Sequence, residues 1–211
     1  MATLRPLAPE IIEDVAAQVA DFIAPETAIR FGATLGEPRT KIHEYFPILT
    51  MPDSTLLNFR SKPPAPNERI DLSRFLIETG QWHYQILRDA DAVGYAHASQ
   101  GSAALQEIRG ISETREAALI ENAIRVVDRA TETEQYEATL VDLPQVAVAA
   151  LTLLDRHHDQ GSIVCIFRAP SDQGPIPTQE LISAARFIRL VAGLRLVEGV
   201  RFGPPPTLAA T

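Results

Sequence analysis

A chain of 211 residues with 45% hydrophobic and 22% charged residues is long enough to bury one substantial core and too apolar for wholesale disorder. Its formal net charge of -8, with no segment concentrating Lys and Arg, excludes the usual attraction to phosphate backbones or anionic lipid, so neither nucleic acid nor a membrane is an expected partner. One cysteine, Cys165, excludes an intrachain disulfide; without a signal-like N-terminus or a bilayer-length apolar run, the expected location is cytoplasmic.

From Pro9 onward, Ile12, Val15, Val19, Phe22 and Ile23 recur at helical spacing, with Glu13, Asp14, Gln18 and Asp21 on other faces. This predicts an amphipathic helix ending near Pro25. Between Glu26 and Glu68 the periodicity fails under Gly32, Gly36, Pro38, Pro47, Pro52, Pro63, Pro64 and Pro66, yet Phe31, Tyr45, Phe46, Leu56 and Phe59 keep the stretch apolar. The expectation is an irregular arm docked on its own domain or on another chain, with Lys62 to Asn67 as a stiff connector.

Gln81 to Ala98 reads as a hairpin. Trp82, Tyr84 and Ile86 alternate with His83, Gln85 and Leu87 before the polar turn Arg88 to Asp91, and Val93, Tyr95 and His97 alternate after it. A four-residue turn pairs Ile86 with Val93, Tyr84 with Tyr95 and Trp82 with His97, placing the aromatic residues on one buried face and His83 on the opposite face from His97.

Ser112 is the expected N-cap of a helix running to about Ala130. Glu113 and Glu116 lie near its positive end, Arg125 and Arg129 near its negative end, and Ala117, Ile120, Ile124 and Val127 form its stripe. Three strands are expected at Tyr136 to Asp142, Val146 to Leu154 and Ser162 to Arg168, joined by short connections that favour an antiparallel meander. After Gly174 to Pro177, Thr178 is the expected cap of a helix carrying Leu181, Ile182, Ala185 and Ile188, and residues 204–211 form a Pro-rich tail.

The chemistry-bearing residues are few. His157 and His158, flanked by Asp155 and Asp159, carry the donor types of a zinc site, but adjacent residues rarely share an ion and no further ligand lies at the right spacing, so a solvated hairpin tip is expected and no metal. Cys165 lies within Ile163 to Phe167, where a buried structural thiol is expected. The carboxylates Glu132, Glu134, Glu137 and Asp142 bracket a strand and read as a solvated group. There is no nucleophile elbow and no glycine-rich phosphate loop, and no cofactor is expected.

The sequence therefore predicts an α+β fold in which an antiparallel sheet of about five strands packs against amphipathic helices. It divides into residues 1–70 (helix and arm), 71–203 (core domain) and 204–211 (tail). The expected function is that of a noncatalytic protein-interaction or assembly component, with a protein partner or self-association. The alternative is a small-molecule-binding or enzymatic domain whose concave sheet face is lined by Trp82, Tyr84, Tyr95 and His97.

Overall fold

A computed structural model describes residues 7–19, 40–88, 91–109, 114–130, 136–157 and 160–197. Residues 9–19 are helical and are named α1. The remaining elements are β1 (Thr40–Thr50), α2 (Asp53–Ser61), β2 (Ile77–Arg88), β3 (Asp91–Ser99), β4 (Leu105–Arg109), α3 (Thr114–Ala130), β5 (Tyr136–Leu143), β6 (Val148–Asp155), β7 (Ile163–Arg168), β8 (Leu181–Ser183) and α4 (Ala184–Gly193). Short 3-10 turns at Leu72–Arg74 and Pro144–Val146 also occur among the described residues. No helix among the described residues is long and apolar enough to cross a membrane.

The α+β class holds, but the sheet is larger than five strands and is mixed. Among the described residues its eight strands lie in the order β4-β3-β2-β1-β5-β6-β7-β8. All neighbours are antiparallel except β1 and β5, which run parallel through Ile48 with Leu140 and Leu49 with Val141. The five strands read from alternation are β2, β3, β5, β6 and β7; β1, β4 and β8 are additional. Each half of the sheet is a four-strand unit followed by a helix, β1 to β4 then α3 and β5 to β8 then α4, and the two halves join at the parallel pair.

Strand alternation sorts the core into two layers. Phe46, Ile48, Leu140, Leu151, Cys165 and Phe167 face α3 with Ile120, Ile124 and Val127. Their chain neighbours Leu49, Val141, Ala150, Val164 and Ile166 face the opposite layer with Leu56 of α2 and Phe187, Ile188 and Val191 of α4. α1 lies on that second face, where Val15 and Val19 cover Trp82, Tyr84 and Ile86. β6, buried on both faces, is central as its nearly continuous apolar run predicts.

Three expectations are corrected. The supposed irregular arm contains β1, a strand between β2 and β5 at the middle of the sheet, and α2; residues 20–39 lie outside the described residues. Pro47 is tolerated there because it precedes the two residues that pair with β5, leaving its flank on that side without a ladder partner to donate to. The C-terminal helix starts at Ala184 rather than Thr178, with Ser183 Oγ accepting from the Arg186 N–H at 3.3 Å, while Leu181 and Ile182 form edge strand β8. The third concerns the hairpin and governs the site below. The expected tail 204–211, Ser112, His158 and the carboxylates Glu132 and Glu134 lie outside the described residues.

Candidate functional site

Next to the turn, β2 and β3 pair as the alternation predicts, Leu87 with Ala92 and Arg88 with Asp91. One residue further the register shifts. Ile86 pairs with Gly94, Tyr84 with Ala96, His83 with His97 and Trp82 with Ala98, so Val93 is a bulge. Because strand side chains alternate with period 2, one inserted residue moves the rest of β3 to the other face. The four residues expected to share a face are therefore split. Trp82 and Tyr84 pack beneath α1, beside Tyr45 at ring separations of 6.0 and 6.4 Å. Tyr95 and His97 face α3 together with His83, contrary to the expectation that the two histidines diverge.

On the α3 face the rings of His83, Tyr95 and His97 lie 5.1 to 5.3 Å apart, backed by Phe46 stacked on His83 at 6.4 Å. The hydrogen-bond chain assigns the protons. The Ala117 carbonyl on α3 can only accept, so Gln85 Nε2 donates to it at 2.7 Å and presents Oε1 to His83 Nε2 at 3.2 Å. His83 Nε2 therefore carries hydrogen, and its Nδ1 accepts from His97 Nε2–H at 3.1 Å. Burial, then the neighbouring His97, pushes the His83 imidazolium down to about 3, against the hydrogen bond that His83 donates to Gln85. His83 is thus a neutral buried acceptor that fixes the tautomer and orientation of the half-buried His97.

Beside the rings, Arg168 at the end of β7 bridges two carboxylates. Its Nη1 donates to Glu116 Oε1 and its Nη2 to Asp142 Oδ1, each at 2.6 Å, and the Tyr95 hydroxyl donates to Glu116 Oε2 at 3.4 Å. The Asp142 carboxyl is raised above its ordinary value because burial, aided by the charge of Glu116, outweighs the Arg168 guanidinium. Ile48, Leu140 and Ala149 from β1, β5 and β6 floor the space between these groups, a cavity of about 50 Å³. A water occupies about 30 Å³ and ligand clefts about 300–1,000 Å³, so this space suits one or two waters or a single functional group.

The broader concavities lie elsewhere, along α2. Ser54, Leu57, Asn58, Phe59 and Phe75 line an open depression of about 640 Å³. A second, of about 270 Å³, shares Phe59 and Phe75 and is rimmed by Lys62, Arg69 and Arg74. Phe59 and Phe75 meet edge to face at 5.0 Å in its wall. Leu57 is 49% exposed, and Ile77 at the start of β2 is 52% exposed.

Cys165 is buried on β7, as its apolar flanks suggest, and burial raises its thiol to about 11. His157 is exposed in the β6–β7 connection, and no metal-competent group of His, Cys, Asp or Glu occurs among the described residues. Sequence reading missed Glu116 and Arg168 as members of the polar cavity and took Asp142 for a solvated strand end. No periodic signal could join them, since Arg168 reaches partners 52 and 26 residues away. The bulge does have a signal, Gly94 within an otherwise regular strand.

No protein-family model matches the chain, and no curated protein and no solved structure shows significant similarity to it.

Proposed function

We propose that the chain is a noncatalytic protein-interaction or assembly component whose contact surface is the groove along α2. The observation that carries this reading is the exposure of Leu57 with Phe59 and Phe75 around the depression of about 640 Å³. Apolar side chains around a concave surface favour occupation by a partner's apolar anchor, because each buried methylene contributes roughly 0.8 kcal/mol. The exposed leucine lies on a helix whose buried anchor is Leu56, so α2 docks through one face and leaves the other to solvent. A photo-crosslinking amino acid at position 57, introduced in the native host, is expected to trap another protein or a second copy, whereas one at the exposed Arg129 on the opposite face is not. Sedimentation of the purified chain and of Leu57→Asp separates self-association from a foreign partner. A monomer at all concentrations with no crosslink from position 57 would refute the proposal.

A second reading, a small-molecule or enzymatic site, is favoured by one observation: His97 and Tyr95 stand beside the Glu116–Arg168–Asp142 bridge in a shared cavity. Tyrosine and histidine so placed suit proton exchange with one functional group. Thermal-shift screening of small carboxylic acids, amines and polyols tests it. A ligand whose stabilisation disappears in both Tyr95→Phe and Arg168→Gln supports this site; one that also stabilises those variants does not.

A further inference from the structure

The groove along α2 sorts its side chains by charge. The larger depression, around Leu57, Asn58 and Phe59, is lined among the described residues by no charged side chain, whereas the smaller one holds Lys62, Glu68, Arg69, Asp71 and Arg74. Phe59 and Phe75 line both, so the two form one continuous surface, neutral at one end and charged at the other.

The charged end presents its cations outward and turns one of its two carboxylates inward. The Asp71 side chain is 7% exposed; its Oδ1 accepts from the Ser73 N–H and hydroxyl at 3.0 and 2.6 Å, and its Oδ2 accepts from Arg74 Nε at 3.3 Å. These bonds cap the 3-10 turn at Leu72–Arg74, so Asp71 is committed to local structure. The Arg74 side chain remains 71% exposed, and Lys62 and Arg69 are exposed as well. The other carboxylate, Glu68, is exposed and accepts from the Ala65 N–H at 3.0 Å through Oε2. Three exposed cations therefore stand beside one exposed carboxylate. The chain as a whole has 27 acidic against 19 basic residues, so this end of the groove is opposite in sign to the protein that carries it.

The backbone beneath these cations is tied down. Arg189 of α4 donates to the Pro64 carbonyl at 3.1 Å, the Ile70 carbonyl accepts from the Ser162 N–H at 2.8 Å, and the Leu72 N–H donates to Ser162 Oγ at 2.9 Å. A charged rim on a fixed backbone loses less entropy on binding than one on a free loop.

We propose that the partner engaged by the α2 groove is an acidic segment of another protein, which sets an apolar side chain over Leu57 and Phe59 and its carboxylates against Lys62, Arg69 and Arg74. This rests on the reading of α2 as the contact surface and adds the chemistry of what docks there. Cations at a rim steer an oppositely charged partner and disfavour a like-charged one, and guanidinium matches carboxylate with two parallel hydrogen bonds. Two copies of a chain of net charge -8 repel each other at long range, which favours a different protein as the occupant.

The test uses the full chain, immobilised and presented with a random library of short phage-displayed peptides. Peptides enriched on the wild type are expected to join a Leu, Met, Phe or Trp to several Asp or Glu residues, and to be lost on Leu57→Asp. A synthetic peptide of the enriched consensus should bind a Lys62→Glu, Arg74→Glu double variant about tenfold more weakly, since each exposed ion pair lost is worth about twofold to fivefold. Its binding to the wild type should also weaken as salt is raised. If the double variant does not fold, Lys62→Gln with Arg74→Gln takes its place, with an expected loss of about fourfold or more. Peptides that need Leu57 but carry no acidic bias, or that bind the charge-reversed chain as well as the wild type, would overturn the acidic partner and leave α2 standing as a contact surface. No enrichment, or enrichment that ignores Leu57, would remove that surface and the proposal with it. Should the wild type dimerise in sedimentation, with a dimer that excludes the peptide and survives the charge reversal, the occupant is a second copy and the proposal fails.

Discussion

The neutral, buried state of His83 makes the stability of this protein fall in mild acid by an amount that can be worked out. In the unfolded chain the imidazole titrates at 6.5, whereas in the native state it resists protonation down to about 3. Over that interval the unfolded state binds more protons, so stability is present above 6.5 and drains away as pH falls towards 3, at about 1.4 kcal/mol for each step of one in pH well below 6.5. Integrated from pH 6 to pH 4, the loss attributable to this group is about 2–3 kcal/mol. The perturbation is His83→Asn, which keeps an acceptor near the position of Nδ1 for His97 but cannot reach Gln85 Oε1. A constant penalty of about 1–3 kcal/mol is expected from the amide oxygen left without its donor. Urea unfolding across this pH range gives the two stability curves, and their difference isolates His83 from Glu44, a buried carboxyl raised to about 7 by burial, whose protonation acts in the opposite sense. The gap between wild type and variant should narrow by about 2–3 kcal/mol between pH 6 and pH 4. Parallel curves would refute the assignment of a neutral His83 and, with it, the tautomer deduced for His97.

Three further outcomes follow from the geometry. Gly161 has a φ of +81°, and a Cβ there would lie 3.1 Å from the Ile70 backbone nitrogen, so Gly161→Ala should destabilise by about 2–4 kcal/mol in chemical unfolding; a neutral result would mean the Ile70 segment yields freely. Asp155 accepts from the backbone N–H groups of His157, Gln160 and Gly161 at 2.9, 2.6 and 3.1 Å, so Asp155→Asn, with one oxygen replaced by a donor, should cost about 1–3 kcal/mol and accelerate proteolysis of the β6–β7 connection. Cys165, fully buried with its thiol raised to about 11, should resist aromatic disulfide reagents at pH 8 in the native state and react stoichiometrically once unfolded. Rapid native labelling would show that β7 opens locally.

The elements read best from the sequence are those whose signal is local. α3 was legible because its apolar positions recur every three or four residues and its end charges oppose the helix dipole; the structure buries Ala117, Ile120, Ile124 and Val127 as that spacing requires. The strands β5, β6 and β7 were legible because their connections are short and their apolar runs continuous. β1 was not, since Pro47 in mid-strand is the feature that ordinarily argues against a central strand, and only the limited extent of the β5 pairing removes the conflict. Of the four residues expected to share a face, Tyr95 and His97 do so, whereas Trp82 and Tyr84 lie on the other, a difference of one residue in register.

Composition and periodicity, which depend on neighbours a few residues apart, determined that this chain builds an α+β core with a β2–β3 hairpin, a helix and a meander. Which side chains meet was decided by tertiary structure, for two physical reasons. A single bulged residue at Val93 inverts a strand's faces without disturbing its alternation, bringing His83 to His97. Charge pairing between elements distant in sequence, as in Glu116 with Arg168 and Asp142, depends on how the layers stack rather than on spacing within any one of them.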